Sequence, residues 1–335
     1  MTEILSINNL RVRFRTDGVI RALMNRNHDP YIDAVLDVSL SIEQGKTLGL
    51  VGESGSGKTT LGRSIVRLTE ITSGTITFEG ADIGQMSSND LSTIRKDISM
   101  MFQDPVASLS PRKTVRNLIL EPFRIHKIRN VARNQKAKEL IQMVGLDEAF
   151  LGAYPHQLSG GQARRVGVAR ALALSPKLVI ADEPTAGLDV SVQGEILNLM
   201  KRLQADKGLS YLIITHNLPV IRHLSDQLAI IYLGRVIEVG STQDIFANPA
   251  HPYTLGLLSA VPQPDPTKRR EKLKLEGELP SLSRRPKGCE FHTRCPFAVD
   301  KCLHEVPTRQ EVEPGRFVSC HFPFPQSPNK AQLAN

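Results

Sequence analysis

The sequence predicts an α/β fold built on a parallel sheet with helices on both faces. Three observations carry that expectation. The apolar strands KLVIAD (177–182) and LSYLIITH (209–216) alternate with helical stretches, the pattern of a sheet buried on both sides. A third apolar run, TLGLV (47–51), opens directly onto the glycine-studded loop GESGSGKTTLG (52–62). One strand ends in an acidic pair, Asp182 and Glu183.

Taken in order, the chain begins with strand-like stretches at ILSINNLRVRF (4–14), VLDVSLSIEQGKTLGLVG (35–52) and GTITFEG (74–80). Their alternation and β-branched residues, punctuated by Gly or Asp, support strands. The segment between the first two (15–34) reads as a loop or loosely structured insertion. From about Ser87 to Leu158 the apolar spacing turns helical, in DLSTIRKDISMMF, TVRNLILEPFRI and QKAKELIQMVGL. After the two buried strands, LAIIYLGRVIEVG (228–240) reads as a hairpin turning near Gly234. Beyond Ser241 the chain becomes rich in proline and charge, a boundary and linker into a small C-terminal module. The expected domains are therefore 1–240 and 241–335.

Bulk properties narrow the classes. The 335 residues are 40% hydrophobic and 23% charged, an ordinary soluble balance. No run has the length of a membrane-spanning helix, and MTEILSINNL lacks a signal-peptide layout, so the expected location is cytoplasmic. The net charge of +8 suits anionic partners, but 5% aromatics, no tryptophan and no compact Lys/Arg run argue against a nucleic-acid partner.

The glycine-rich loop answers to a phosphate. Gly52, Gly57, Lys58 and Thr59 fill the fixed places of G-x-x-x-x-G-K-[ST]. Glycines let successive N–H groups turn inward around an anion, and the following helix offers its positive N-terminus. Ser54, Gly55 and Thr60 complete the expected nucleotide contacts. Lys58 can reach the β- and γ-phosphates, and the Thr59 hydroxyl can bind Mg²⁺. Neighbours on a strand point to opposite sides, so Asp182 and Glu183 have different tasks. Asp182 is expected to hold Mg²⁺ through its waters, and Glu183 to activate the attacking water as general base.

LSGGQ (158–162) adds a further pattern. With the phosphate loop and LVIADEP, it makes the chain resemble an ATP-binding-cassette (ABC) ATPase, with five motifs in family order from the N-terminus to about Ser241. The resemblance implies a P-loop NTPase core of RecA type, an antiparallel β subdomain and a helical signature subdomain at about 104–160. It implies that Gln103, in MFQDP, contacts Mg²⁺ and senses a membrane partner. Ser159, Gly161 and Gln162 become the signature that meets a γ-phosphate, Asp189 the D-loop acid and His216 the switch histidine. Phe14 falls where the family places an aromatic against adenine. Gly187 departs from the family pattern and could loosen the turn before Asp189. The signature of one subunit is expected to cover the ATP held by another.

The C-terminal part, HPYTLGLLSAVP from His251 and GCEFHTRCPFAVDKC…SCHFP, resembles the ending of ATPases from oligopeptide, dipeptide and nickel importers. The long insertion and KTLGLVGESGSGKTTLGRSIVRL look like the second ("F-type") ATPase of such systems. The resemblance implies a heterodimer with a sister ATPase, two membrane permeases, an extracytoplasmic solute-binding protein and a position on the inner face of the cell membrane. The four cysteines, Cys289, Cys295, Cys302 and Cys320, are spaced C-x5-C-x6-C-x17-C. A cytosolic cluster argues against disulfides, and the close pairs usual for zinc are absent. Some relatives are thought to carry a [4Fe–4S] cluster there, which Cys₄ ligation suits; zinc and unmetallated thiols remain alternatives. No physical role is evident for HPYT beyond starting a helix. A soluble ATPase acting on DNA or ribosomes and an exporter subunit are the competing classes.

Overall fold

A computed structural model describes residues 2–16, 31–104, 108–261, 273, 275 and 277–324. Most of the inserted segment and most of the proline-rich linker lie outside the described residues.

Two sheets form the frame. The smaller is antiparallel, in the order β2–β1–β4–β5, from β1 (Glu3–Arg15), β2 (Tyr31–Glu43), β4 (Ser73–Phe78) and β5 (Ala81–Asp82). The larger has the order β11–β12–β10–β9–β3–β8–β7–β6. Its parallel centre comprises β9 (Gln227–Tyr232), β3 (Thr47–Val51), β8 (Ser210–Thr215), β7 (Leu178–Asp182) and β6 (Ile98–Met101). Every residue of β3, β7 and β8 is buried, as unbroken apolar strands covered on both faces must be.

One face of the large sheet meets the small sheet and α1 (Lys58–Ile65) across a core containing Leu50, Leu61, Ile65, Ile180 and Ile214. Gly62 makes that approach possible, since a Cβ there would lie 2.7 Å from Ile214 Cδ1. The opposite face packs against helices that include α3 (Val115–Ile119), α4 (Glu121–Ile125), α5 (Arg133–Met143), α6 (Gly160–Ala171), α7 (Val190–Lys207) and α8 (Leu218–Leu224).

Three readings of the sequence change. The run 35–52 is two strands in different sheets, separated by a turn in which Gly45 has φ +74°. The first of these begins at Tyr31, inside the segment read as a loop, because Asp33 and Ile32 pair with Arg13 and Phe14. DLSTIRKDISMMF is not helical throughout. Helix α2 (Ser88–Ile94) ends early, and Ile98–Met101 form β6 against β7. Four residues are too few to display a strand period, so pairing decides them.

The expected hairpin is present, with β10 (Arg235–Ser241) returning along β9. Leu233 and Gly234 have φ +45° and +82°, the paired positive values of a type I′ turn. The large sheet does not end there. β12 (Arg316–Val318) pairs with β10, and β11 (Gln310–Glu313) with β12, so the C-terminal part extends the sheet. It also supplies α9 (Thr242–Ala247), α10 (Pro252–Ser259) and α11 (Asp300–His304).

Candidate functional site: a nucleotide site at the carboxyl ends of the parallel strands

Strand β3 ends at Val51 and α1 begins at Lys58, so Gly52–Gly57 form a turn at the switch point of the sheet. Steric constraint explains two of its glycines. At Gly57 φ is +98°, and a Cβ would stand 2.1 Å from the carbonyl oxygen of Ala34; at Gly52 one would stand 2.3 Å from that of Ile231. Neither position admits a side chain without moving backbone. Lys58 folds back across the turn, donating from Nζ to the carbonyls of Gly52 (2.8 Å) and Glu53 (2.7 Å). Burial lowers its pKa, against the pull of Glu183, Asp182 and Glu53.

Asp182 ends β7 beside this turn, and Glu183 follows it. Burial raises the pKa of Asp182, opposed by a hydrogen bond from Thr59. Its Oδ1 is buried and has no hydrogen-bond partner among the described residues. An orphaned carboxylate oxygen beside a threonine hydroxyl fits a hard divalent cation, which both neutralises the acid and occupies the free oxygen. Glu183 points elsewhere, but not through strand alternation, because it follows the last residue of β7 in a left-handed backbone. Its Oε2 accepts from Thr215 Oγ1 (2.9 Å), while Oε1 accepts from His216 N (3.1 Å) and lies 2.7 Å from His216 Nδ1. A carboxylate offers about four acceptor sites, so three such contacts hold its orientation and leave one for a water. Glu183 also sits at φ +50°, a left-handed backbone that a non-glycine residue adopts only when its surroundings impose it.

Two family patterns match the chain, "ABC transporter" over residues 35–186 and "Oligopeptide/dipeptide transporter, C-terminal region" over 237–302. The oligopeptide transport ATP-binding protein AppF of Bacillus subtilis is 49% identical over 295 residues, covering 87% of this chain and 90% of its own. A putative peptide import ATP-binding protein of Brucella ovis is 42% identical, covering 95% and 98%. The chain belongs to the ABC transporter ATPases. Solved cassettes have the same architecture. The dimeric post-hydrolysis MJ0796 cassette bound to ADP and Pi aligns with TM-score 0.63 at 28% identity, over 71% of this chain and 98% of that one. The cbiO1 subunit of Clostridium perfringens aligns at 0.63 and 26%, over 74% and 92%.

In this ABC ATPase the signature lies on α6. Ser159 caps that helix by accepting from Gln162 N (3.2 Å), and Gln162 Oε1 accepts from Ser159 N (2.9 Å), a reciprocal capping box. Gly161 packs on α7, where a Cβ would meet Val192 Cγ1 at 2.7 Å. Asp189 caps α7, accepting from Val192 N at 3.0 Å. Among the described residues no hydrogen bond joins Ser159, Gly161 or Gln162 to the phosphate loop. Arg164 connects the halves instead, donating from α6 to Ala186 O (2.6 Å). Gly187, the departure from the family pattern, has φ +73° with open space around it; glycine suits that conformation rather than loosening it.

Phe14 is 41% exposed near the end of the β1–β2 ladder, paired with Ile32, two residues along β2 from Ala34, whose carbonyl lies against Gly57 of the phosphate loop. Gln103 is exposed just after β6. Beside it a groove of about 600 Å³ is lined by Leu68, Met100, Phe102, Ile125 and Arg170.

The cysteine motif is a different case. All four thiols are free. Burial, then neighbouring thiols, pushes Cys295 up to about 11 and Cys320 up to about 12. They share one neighbourhood, yet among the described residues no group of three or more His, Cys, Asp or Glu could hold a metal ion. The structure therefore gives the expected iron–sulfur ligation no support.

Sequence reasoning passed over several residues that build this site. Thr215 and Arg164 orient Glu183 and its loop, and neither forms a motif alone. HPYT starts a helix, as expected, and does more besides. His251 caps α10 through Nδ1, which accepts from Tyr253 N (3.0 Å), with Pro252 at the first helical position. The Tyr253 hydroxyl accepts from the backbone N–H of Glu53 (3.1 Å), inside the phosphate loop. No local pattern carries a contact 200 residues long.

Proposed function

We propose that this ABC ATPase powers the uptake of peptides or related small solutes across the cytoplasmic membrane, as the ATP-hydrolysing subunit of an importer. One conjunction carries the reading: a buried Asp182–Glu183 pair set against a phosphate loop, in a chain whose residues 237–302 match the oligopeptide/dipeptide transporter C-terminal pattern.

Gly52–Thr60 would cradle the phosphates of ATP, with Lys58 on the β- and γ-phosphates and Phe14 against the adenine. Thr59, Asp182 and Gln103 would hold Mg²⁺, which supplies charge neutralisation at the phosphates. Glu183 takes the proton of the attacking water, held by Thr215 and His216. Ser159, Gly161, Gln162 and Asp189 lie on the α6–α7 side, without hydrogen bonds to this chain's own loop among the described residues. That separation supports their serving the ATP of a second, sister ATPase in a heterodimer. Binding and hydrolysis then become closing and opening of the pair.

The apolar groove beside Gln103 suits a segment of one of two membrane permeases, which a solute-binding protein outside the membrane would supply. Among the described residues no helix is long and apolar enough to cross a membrane, and attachment through such permeases would place the chain on the inner face. We assign 1–240 to the ATPase domain, with about 104–160 as its helical part, and 241–335 to the extension. Cys289, Cys295, Cys302 and Cys320 have the donor chemistry for a [4Fe–4S] cluster, provided the thiols draw closer together. Stoichiometric iron and sulfide in anaerobically purified protein would support that cluster, and colourless protein holding zinc would overturn it.

The test of the main reading uses vesicles containing the cognate permeases. ATP turnover should rise with permeases and solute-loaded binding protein, and should not respond to DNA or ribosomes. Glu183→Gln should retain MgATP while hydrolysing it at least about 100-fold more slowly. Stimulation by nucleic acid alone, or unchanged turnover in the variant, overturns the reading.

A further inference from the structure

Glu53 is the first variable residue of the phosphate loop, and three groups hold it. Its carbonyl accepts from Lys58 Nζ at 2.7 Å. Its N–H donates to the hydroxyl of Tyr253 at 3.1 Å, and its carboxylate accepts from Arg294 Nη1 at 2.8 Å. Tyr253 and Arg294 both belong to the C-terminal extension, in α10 and in the turn before Cys295.

Neither partner is a casual surface contact. Tyr253 is fully buried, and its ring packs edge-on against Tyr232 (4.8 Å between centroids) and Phe291 (5.4 Å). The Arg294 side chain is only 7% exposed and stands over the Tyr232 ring. Tyr232 ends β9 just before the Leu233–Gly234 turn, and Gly234 N donates to Ser56 O at 2.9 Å. A single aromatic cluster thus braces both the start and the end of the loop.

The chemistry of Glu53 makes the bracing consequential. A carboxylate beside a triphosphate repels it unless a cation is fixed on its far side. A loop N–H turned toward Tyr253 also fixes the Gly52–Glu53 peptide, whose Gly52 carbonyl accepts from Lys58 Nζ at 2.8 Å. We propose that Tyr253 and Arg294 are positioning residues of the nucleotide site, through which the C-terminal extension sets the affinity of the phosphate loop for MgATP by way of Glu53. The extension is then a working part of the ATP site as well as the outer edge of the sheet.

This inference rests on nucleotide binding by the phosphate loop, and calorimetric titration of the full-length chain with MgATP separates the two. Arg294→Met should weaken binding about tenfold, because it leaves the Glu53 carboxylate uncompensated beside the phosphates. Adding Glu53→Gln to that variant should recover at least about threefold, since the neutral amide no longer repels the triphosphate. Tyr253→Phe, which keeps the ring and loses the acceptor, should weaken binding by about threefold or more. Arg294→Lys retains the charge in place should the methionine variant fail to fold, and it should bind more tightly than Arg294→Gln.

Wild-type protein that does not bind MgATP would defeat the nucleotide reading itself. Wild-type binding matched by Arg294→Met, or equal weakness in the single and double variants, would overturn only the coupling proposed here. A purely packing role for Arg294 predicts that second result, because Glu53→Gln restores no packing.

Discussion

At the scale of single residues, the site is governed by where polar groups are buried and what meets them. Glu183 keeps an unusual backbone conformation and three hydrogen-bond contacts so that one carboxylate faces one direction. Asp182, its neighbour, keeps a buried oxygen without a hydrogen-bond partner among the described residues. His251 follows the same logic away from the chemistry. It is fully buried as a neutral ring, and burial pushes its pKa down to about 3. The folded value lies below the unfolded one of about 6.5, so below that pH the unfolded chain binds more protons and stability falls. The loss should approach about 1.4 kcal/mol per pH unit between these two values. Thermal melts from pH 7.5 to pH 5 should therefore show a midpoint that falls less steeply in His251→Asn, which keeps a capping acceptor but does not titrate. Parallel profiles would show that His251 does not contribute.

At the scale of elements, turns set the geometry and strands supply rigid ends. Gly57 and Gly187 both have positive φ, but their surroundings differ. A Cβ at Gly57 would strike the Ala34 carbonyl, whereas one at Gly187 meets nothing within 4 Å. Gly187→Ala should cost about 1 kcal/mol, the backbone term alone. Gly57→Ala should cost at least about 2 kcal/mol, because the phosphate loop or β2 must also move. Denaturant unfolding of the two variants measures the contrast, and equal costs would contradict it. The phosphate-loop turn was legible in the sequence because its glycine spacing reports the local backbone directly, whereas the Gly187 turn was not. Strand β6 was not, because ISMM becomes a strand only through its partner β7.

At the scale of the whole molecule, the C-terminal extension is joined to the ATPase core at points remote in sequence. Glu238 on β10 is entirely buried and accepts from Ala250 N (2.9 Å), His251 N (3.0 Å) and Arg316 Nη2 (2.8 Å). Arg316, from β12, also donates to Asn248 O. This buried pair ties the hairpin, the start of α10 and the added strands together. Arg316→Met should destabilise the protein by about 3–5 kcal/mol, because it strands a buried carboxylate, and adding Glu238→Gln should return part of that loss. Denaturant titrations of the single and double variants decide it; a cost under 1 kcal/mol would show the pair to be dispensable.

The sequence by itself determined the phosphate loop, the acidic pair, the order of the cassette motifs and the transporter-type ending. Each is a local run whose residue types answer to one chemical need, so spacing alone reveals it. Only the tertiary structure decided which groups surround them. It set Thr215 and His216 on Glu183, moved the signature onto the α7 side, carried the C-terminal strands onto the sheet edge and placed Tyr253 and Arg294 on Glu53. Contacts between residues 32 to 241 positions apart depend on strand order and packing, to which no single stretch of chain responds.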